Sequence, residues 1–199
     1  MGKRGEEVRR TLRMDKPLKT EFRIDDELVM RAWREDDVKT AFDVVIRNRE
    51  HLQKFMIWMT PDYSLQAAEK FITDGIVKRL EKKNLGLGIF RDDQLIGSIG
   101  FDQFDTGSQT TEIGYWIDKD AEGKGIITRC SRTLIEYAFS ELDMNRIEIR
   151  CSTENARSAA VPERLGFTRE ALLREAQVLN GRPHDYYIYS LLAKDPRLW

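Results

Sequence analysis

Residues 111–128 limit the fold more than any other stretch of this chain. A β-rich run, TEIGYWI at 111–117, is followed a few residues later by Glu122-Gly123-Lys124-Gly125-Ile126-Ile127-Thr128 and then by an amphipathic helix. Ile126, Cys130, Leu134 and Ala138 mark one stripe of that helix, and Ile127, Ile135, Phe139 and Leu142 widen it enough to pack on a sheet. Glycines let backbone N–H groups turn toward a ligand, and a helix N-terminus adds partial positive charge. The loop therefore reads as a pyrophosphate nest or as a plain turn. Two rival phosphate loops are excluded. A Walker A loop would need Gly where Asp118 stands and Ser or Thr where Gly125 stands. A dinucleotide loop would need its third glycine at Thr128.

The rest of the chain builds a sheet around this unit. Strand-like runs at 21–24 and 28–33 are joined by Asp25-Asp26-Glu27, a hairpin signal. Helical periodicity covers 38–46 and 51–58 and is broken by Thr60-Pro61-Asp62. A third helix is expected from the N-cap Ser64 to Lys83, with Ala68, Phe71, Ile72, Ile76 and Leu80 on one face. Runs at 85–90, 95–101 and 111–117 predict an antiparallel meander. After the amphipathic helix, Ile147, Ile149 and Cys151 alternate with charged residues as a half-buried strand. Residues 155–165 read as a helix closed by Gly166, and 168–179 and 184–192 as strands joined at Asn180-Gly181. The order predicts one α/β domain over 20–199 with a mixed sheet.

Residues 1–19 stand apart. They hold seven Lys or Arg against Glu6, Glu7 and Asp15, a local balance of +4, whereas the whole chain has a net charge of −1. This segment reads as a mobile tail, or as a basic arm for an acidic partner such as ribosomal RNA. The net charge itself gives no argument for sequence-specific nucleic-acid binding. No stretch approaches the roughly 20 apolar residues of a membrane span, and no apolar run follows the first basic residues as in a secretory signal. Cys130 and Cys151 fall in a helix and a strand, as free thiols do in a reducing compartment; the cytoplasm is the expected location. His51 and His184 lack metal-like spacing, so no metal is expected. The final hairpin has edges that could pair in a homodimer.

Several motifs occur in order. The run 111–117, the loop at 122–128, NRIEIRC at 145–151, NARS at 155–158, AVPERLGF at 160–167 and LNGRPHD at 179–185 follow one another. NREHL at 48–52 with Trp58 precedes them. Together, over about residues 21–192, they resemble the RimJ/RimL group of GCN5-related N-acetyltransferases (GNAT), most nearly the Bacillus-type ribosomal-protein-serine acetyltransferases. The resemblance implies a GNAT fold, a mostly antiparallel twisted sheet flanked by helices, with a splayed strand pair that takes the pantetheine arm of acetyl-CoA. Tyr115, Trp116 and Ile117 would partner that arm, and one of their amides would polarise the thioester carbonyl. Gly123, Lys124, Gly125 and Ile126 would hold the pyrophosphate, and Asn155 and Ser158 would face the thiol end. The sequence departs from the superfamily signature at Asp120, where Arg or Gln is usual, and at Glu122, where this group often has Gln. Acid beside a dianion is expected to weaken binding unless it points into solvent, with Lys124 as an offset.

Acetyl transfer to nitrogen needs a neutral amine and a protonated leaving thiol. An α-amine of pKa near 7.8 is about one-seventh neutral at pH 7, whereas a lysine amine is neutral in about one molecule in 2,500, a handicap of about 3.5 kcal/mol. Glu112 is the first candidate base, directly or through a water. The strand position that holds a Glu base in some members of the family reads here as Gln177, with Glu175 two residues away as a substitute. His184 and Asp185 fit the orientation of the site better than a triad, because no serine nucleophile motif accompanies them. By resemblance Ser158 is the acid. Phe55, Met56, Trp58 and Met59 read either as an amine pocket or as core. The expected reaction is direct attack by an α-amine, that of a ribosomal protein, within a ternary complex. The alternatives are a small-molecule amine acceptor and a non-catalytic acyl-CoA-binding protein.

Overall fold

The computed structural model describes residues 17–197 and 199. Of the expected basic tail, residues 1–16 lie outside the described residues. Leu18 is buried in the main core, and the Lys19 N–H donates to the Tyr137 hydroxyl at 2.9 Å.

Glu21–Arg23 (β1) and Leu28–Ala32 (β2) form the first hairpin. Its turn is closed by Asp25, whose Oδ1 accepts the N–H groups of Glu27 and Leu28 at 3.0 and 2.8 Å. Three helices follow: Val38–Arg47 (α1), Arg49–Leu52 (α2) and Leu65–Leu80 (α3). Next come Leu85–Arg91 (β3), Gln94–Asp105 (β4) and Thr110–Ile117 (β5), then Ile126–Ser140 (α4). Arg146–Ser152 (β6), Ala156–Arg164 (α5), Thr168–Leu179 (β7) and Arg182–Leu192 (β8) complete the chain. The eight strands form one sheet in the order β1-β2-β3-β4-β5-β6-β8-β7. Every neighbouring pair is antiparallel except β5–β6. This is the mixed, mostly antiparallel GNAT architecture that the motif order implies.

Helices cover both faces of the sheet. The broad stripe of α4 buries Ile126, Cys130, Leu134, Ile135 and Ala138 in a core shared with Ile99, Ile113, Ile147, Ile149 and Tyr189. On the other face Val44 of α1 and Ile72 of α3 pack with Trp33, Phe90 and Leu95. A fully buried aliphatic side chain contributes about 1.5–3 kcal/mol, so these two layers hold the sheet between them.

Two helical expectations are corrected. The helix expected over 51–58 ends at Leu52, because the Arg49 guanidinium donates to the carbonyls of Thr60 (3.2 Å), Pro61 (3.2 Å) and Tyr63 (3.4 Å) and folds 53–63 into turns. The apolar face expected for α3 is narrower than its sequence suggests. Ala68 and Ile72 are buried, whereas Phe71 and Leu80 are exposed, because only one thin stripe of α3 meets α1 and β3. Among the described residues no helix is long and apolar enough to cross a membrane.

Candidate active site

The parallel pair sets the site. β5 and β6 hold register only at Thr110–Arg146, Thr111–Ile147 and Glu112–Glu148. Beyond Glu112, β5 stays with β4 as far as Ile117–Gly97, and β6 stays with β8 as far as Ser152–Tyr186. The backbone edges of residues 113–117 and 149–152 therefore face each other across an opening. It leads into a cleft of about 1230 Å³ walled by Tyr115, Trp116 and Ile117, the loop 121–129, residues 154–158 around the α5 start, His51 and Leu52 of α2, and Lys54, Phe55 and Met56 beyond it.

The loop base is tied down from α1. Arg47 Nε donates to Asp118 Oδ2 at 3.0 Å, the Lys119 N–H to Asn48 Oδ1 at 3.0 Å, and the Asp120 N–H to Asp118 Oδ1 at 3.0 Å. Gly123 and Gly125 then take φ of +72° and +68°, a region that costs any residue with a Cβ. Nothing lies within 4 Å of an added Cβ at either glycine, and no side chain caps the first turn of α4. A curved backbone with open space beside it and an uncapped helix start fits a phosphate-bearing ligand. Lys124 Nζ donates to the Asp120 carbonyl at 2.8 Å.

The two acids that depart from the family signature are disposed of differently. Asp120 is exposed and lies outside the cleft wall. Glu122 lines the cleft, but its carboxylate is taken up by Arg157 of α5 on one oxygen and by His51 Nε2 of α2, at 3.3 Å, on the other. Its charge is matched within the protein.

At the far end of the opening, Asn155 Oδ1 accepts the Ser158 N–H at 3.0 Å and caps α5. Ser158 Oγ donates to the Tyr115 hydroxyl at 3.1 Å, and that hydroxyl donates to the Ser158 carbonyl, also at 3.1 Å. Burial holds the Tyr115 phenol far above its usual range, so it stays neutral. Burial likewise raises the neighbouring Cys151 thiol to about 11, with Ser158 opposing. The sequence pairs neither Tyr115 with Ser158 nor Cys151 with both; the Tyr115–Ser158 contact crosses 43 residues of chain.

Glu112 stands where the strands part, on the face of β5 that also carries Trp116. Arg150 Nε lies 3.1 Å from its Oε2. Arg150 is shared with Glu148 at 2.8 Å, and Arg146 bridges Glu148 (2.8 Å) and Glu170 (2.6 Å). Desolvation raises the Glu112 carboxyl to about 7, with Arg150 opposing and Asp102 and Glu148 adding to the rise. A carboxyl poised near neutrality suits a proton acceptor.

The remaining candidates are more scattered. Trp58 sits in a turn, 38% exposed, with its ring 6.3 Å from Trp116 and 5.8 Å from Tyr63. Phe55 and Met56 line the cleft, whereas Met59 is buried with Val45 and Leu52. Glu175 and Asp185 do not line the cleft. Glu175 takes φ +51° in a bulge of β7, and its N–H donates to Asp185 Oδ1 at 2.8 Å. That bond spends the Asp185 carboxylate on the shape of the hairpin. Among the described residues no group of three or more His, Cys, Asp or Glu could hold a metal ion.

A sheet parted beside a glycine nest and a free helix start is the frame of a transferase whose donor arrives as a long phosphate-bearing arm. The family described as acetyltransferase (GNAT) domain matches residues 27–168, and the chain belongs to it. It is 34% identical to the "Putative ribosomal N-acetyltransferase YdaF" of Bacillus subtilis (strain 168), over 87% of this chain and 95% of that protein. Among solved structures it is similar to RimL, a ribosomal L7/L12 alpha-N-protein acetyltransferase in complex with coenzyme A. The TM-score is 0.83 at 26% identity, over 86% of this chain and 97% of that one. It is also similar to the microcin C7 self-immunity acetyltransferase MccE in complex with acetyl-CoA and AMP. Here the TM-score is 0.82 at 28% identity, over 88% of this chain and 98% of that one.

Proposed function

We propose that this chain acetylates the α-amine of a protein N-terminus, that of a ribosomal protein, by direct attack within a ternary complex. The observation that carries the reading is Glu112, a carboxylate held near neutrality in the last register pair before β5 and β6 part, on the strand whose Tyr115 lines the cleft and bonds Ser158. When bound, acetyl-CoA supplies an acetyl thioester. Backbone N–H groups of residues 123–126 would hold its pyrophosphate, and the edge of residues 115–117 its pantetheine arm. One amide of that edge would polarise the thioester carbonyl, an electrostatic contribution preorganised by the strand. Glu112 takes the proton of the acceptor ammonium, which leaves a lone pair for attack on the acetyl carbon. As the carbon–sulfur bond breaks, Ser158 gives its hydroxyl proton to the sulfur, and the Tyr115 hydroxyl turns from the Ser158 carbonyl to Ser158 Oγ. The second proton shed by the acylated nitrogen returns to Ser158 Oγ, so that thiol, amide and serine all end neutral while Glu112 keeps the first proton until water takes it.

The acceptor assignment is supported by the ribosomal relatives and by the lower demand that an α-amine of pKa near 7.8 makes on a base. The similarity to MccE favours a second reading, a small-molecule amine acceptor. Thiol release separates them. It is measured with peptides free at the N-terminus, with the same peptides blocked there but bearing lysine, and with polyamines. Release confined to free N-termini supports the proposal, and faster release with polyamines overturns the acceptor assignment. Basic residues 1–16 would then add a ribosomal RNA contact, seen as salt-sensitive ribosome association that is lost when they are deleted.

Ser158→Ala is expected to lower kcat about 10²-fold with little change in either KM, because the hydroxyl acts on the departing sulfur. Tyr115→Phe, which removes the group behind that hydroxyl, should give a smaller loss of the same kind. An unchanged kcat in Ser158→Ala would remove the serine from the mechanism.

A further inference from the structure

Strand β4 carries a bulge where it pairs with β5. The register runs through Phe101–Ile113 and resumes at Phe104–Thr111, so Asp102 and Gln103 together stand opposite the single residue Glu112. The Gln103 carbonyl accepts the Thr111 hydroxyl at 2.7 Å, which fixes the bulge on one side. Bulges of this kind re-aim a side chain. Here the Asp102 carboxylate lies over Gly114: Oδ2 and Oδ1 are 3.5 and 3.7 Å from the point where a Cβ on Gly114 would stand. Glu112, Gly114 and Trp116 share one face of β5. The Asp102 carboxylate therefore lies over the Gly114 position, between Glu112 and Trp116 on that face, and of these residues Trp116 lines the cleft.

The charge around it is unbalanced. Arg150 is divided between Glu112 and Glu148, and Arg146 between Glu148 and Glu170. With Asp102 the row holds four carboxylates to two guanidiniums, and Lys78 acts on Asp102 from the end of α3. A cation arriving between Asp102 and Glu112 would balance this surplus.

From this juxtaposition we infer that Asp102 binds the acceptor, holding the incoming amine as an ammonium beside Glu112, so that the enzyme selects acceptors that arrive charged. The assignment rests on the reading of Glu112 as the base. Asp102 takes no proton: the proton passes from the ammonium nitrogen to Glu112, and the charge of Asp102 keeps the amine in place while it does so. Desolvation raises the Asp102 carboxyl above its usual value, with Lys78 opposing. The two acids also repel one another, and that repulsion contributes to the raised position of Glu112.

The test is steady-state kinetics of Asp102→Asn and Asp102→Glu across pH, with the amine that gives the fastest thiol release in the panel above. Asp102→Asn is expected to raise the acceptor KM about 10- to 100-fold, as for loss of a hydrogen bond to a charged group, with kcat within about twofold. Its acid limb should move to lower pH, because Glu112 loses a repelling neighbour while Arg150 and Glu148 remain. Asp102→Glu should keep a KM within about threefold of the parent, and calorimetry should give both variants the parent affinity for acetyl-CoA. An unchanged acceptor KM with an unmoved limb in Asp102→Asn would overturn the assignment. If instead Glu112→Gln keeps the parent limb, the base has been misassigned, and the two failures are told apart.

Discussion

Glu112→Gln is expected to lower kcat/KM by about 10²–10⁴-fold while leaving the affinity for acetyl-CoA unchanged, because the amide cannot take a proton and does not touch the loop. The acid limb of the kcat/KM profile, centred near pH 7 in the parent, should disappear with it. The same substitution carries an opposite sign for stability. A carboxyl whose pKa is raised from 4.5 to about 7 by folding binds its proton more tightly in the native chain. That contribution is fully present below about pH 4.5 and is lost as pH rises through 7. At pH 8 the ionised group costs on the order of 1–3 kcal/mol, toward the lower end because the side chain remains 32% exposed. Glu112→Gln should therefore unfold at a higher temperature than the parent at pH 8, with the difference shrinking toward pH 5. Thermal melts at the two pH values measure this. A difference that does not depend on pH would contradict the assigned environment.

Gly125→Val should weaken acetyl-CoA binding about 10²-fold or more, as read by calorimetry. Valine at φ +68° is strained by roughly 1–2 kcal/mol, and relief of that strain turns the N–H groups of the α4 start away from the ligand. The fold should survive with a lowered Tm, because nothing lies within 4 Å of the added side-chain carbon. Lys124→Ala provides the contrast. Its ammonium is occupied by the Asp120 carbonyl at 2.8 Å, so its loss should cost less than about tenfold. A larger effect from Lys124→Ala than from Gly125→Val would mean that the site depends on side-chain charge and not on backbone curvature.

The strand and helix order was legible because each segment carries its own periodicity. The amphipathic stripe of α4, the alternation of β6 and the Asn180-Gly181 turn all lie where their patterns place them. What failed was local competition. Arg49 holds the carbonyls of Thr60, Pro61 and Tyr63, beyond the expected helix, and so pins the segment after Leu52 in turns; no periodicity encodes that capture. The loop and the Asn155–Ser158 segment were legible as motifs, but the groups that tune them come from distant chain. Arg157 and His51 meet Glu122 across 35 and 71 residues, so the sequence shows an unmatched acid where the fold has a matched one. Asp102 was invisible for a different reason. A bulge shifts the period of two by one residue, and only the observed register places that residue opposite Glu112.

The seam between β5 and β6 has a mechanical meaning. Three residue pairs join a plate made of β1–β5 to a plate made of β6, β8 and β7. Along the gap the facing backbone edges have no sheet partner, although the α4 core spans both plates, and a donor lying there would supply that partner. Amide exchange at residues 113–117 and 149–152 should therefore slow when acetyl-CoA is added, and the slowing should spread outward along both plates. The donor would then be a removable part of the sheet as well as a reactant, taking the place of the strand pairing that the seam lacks.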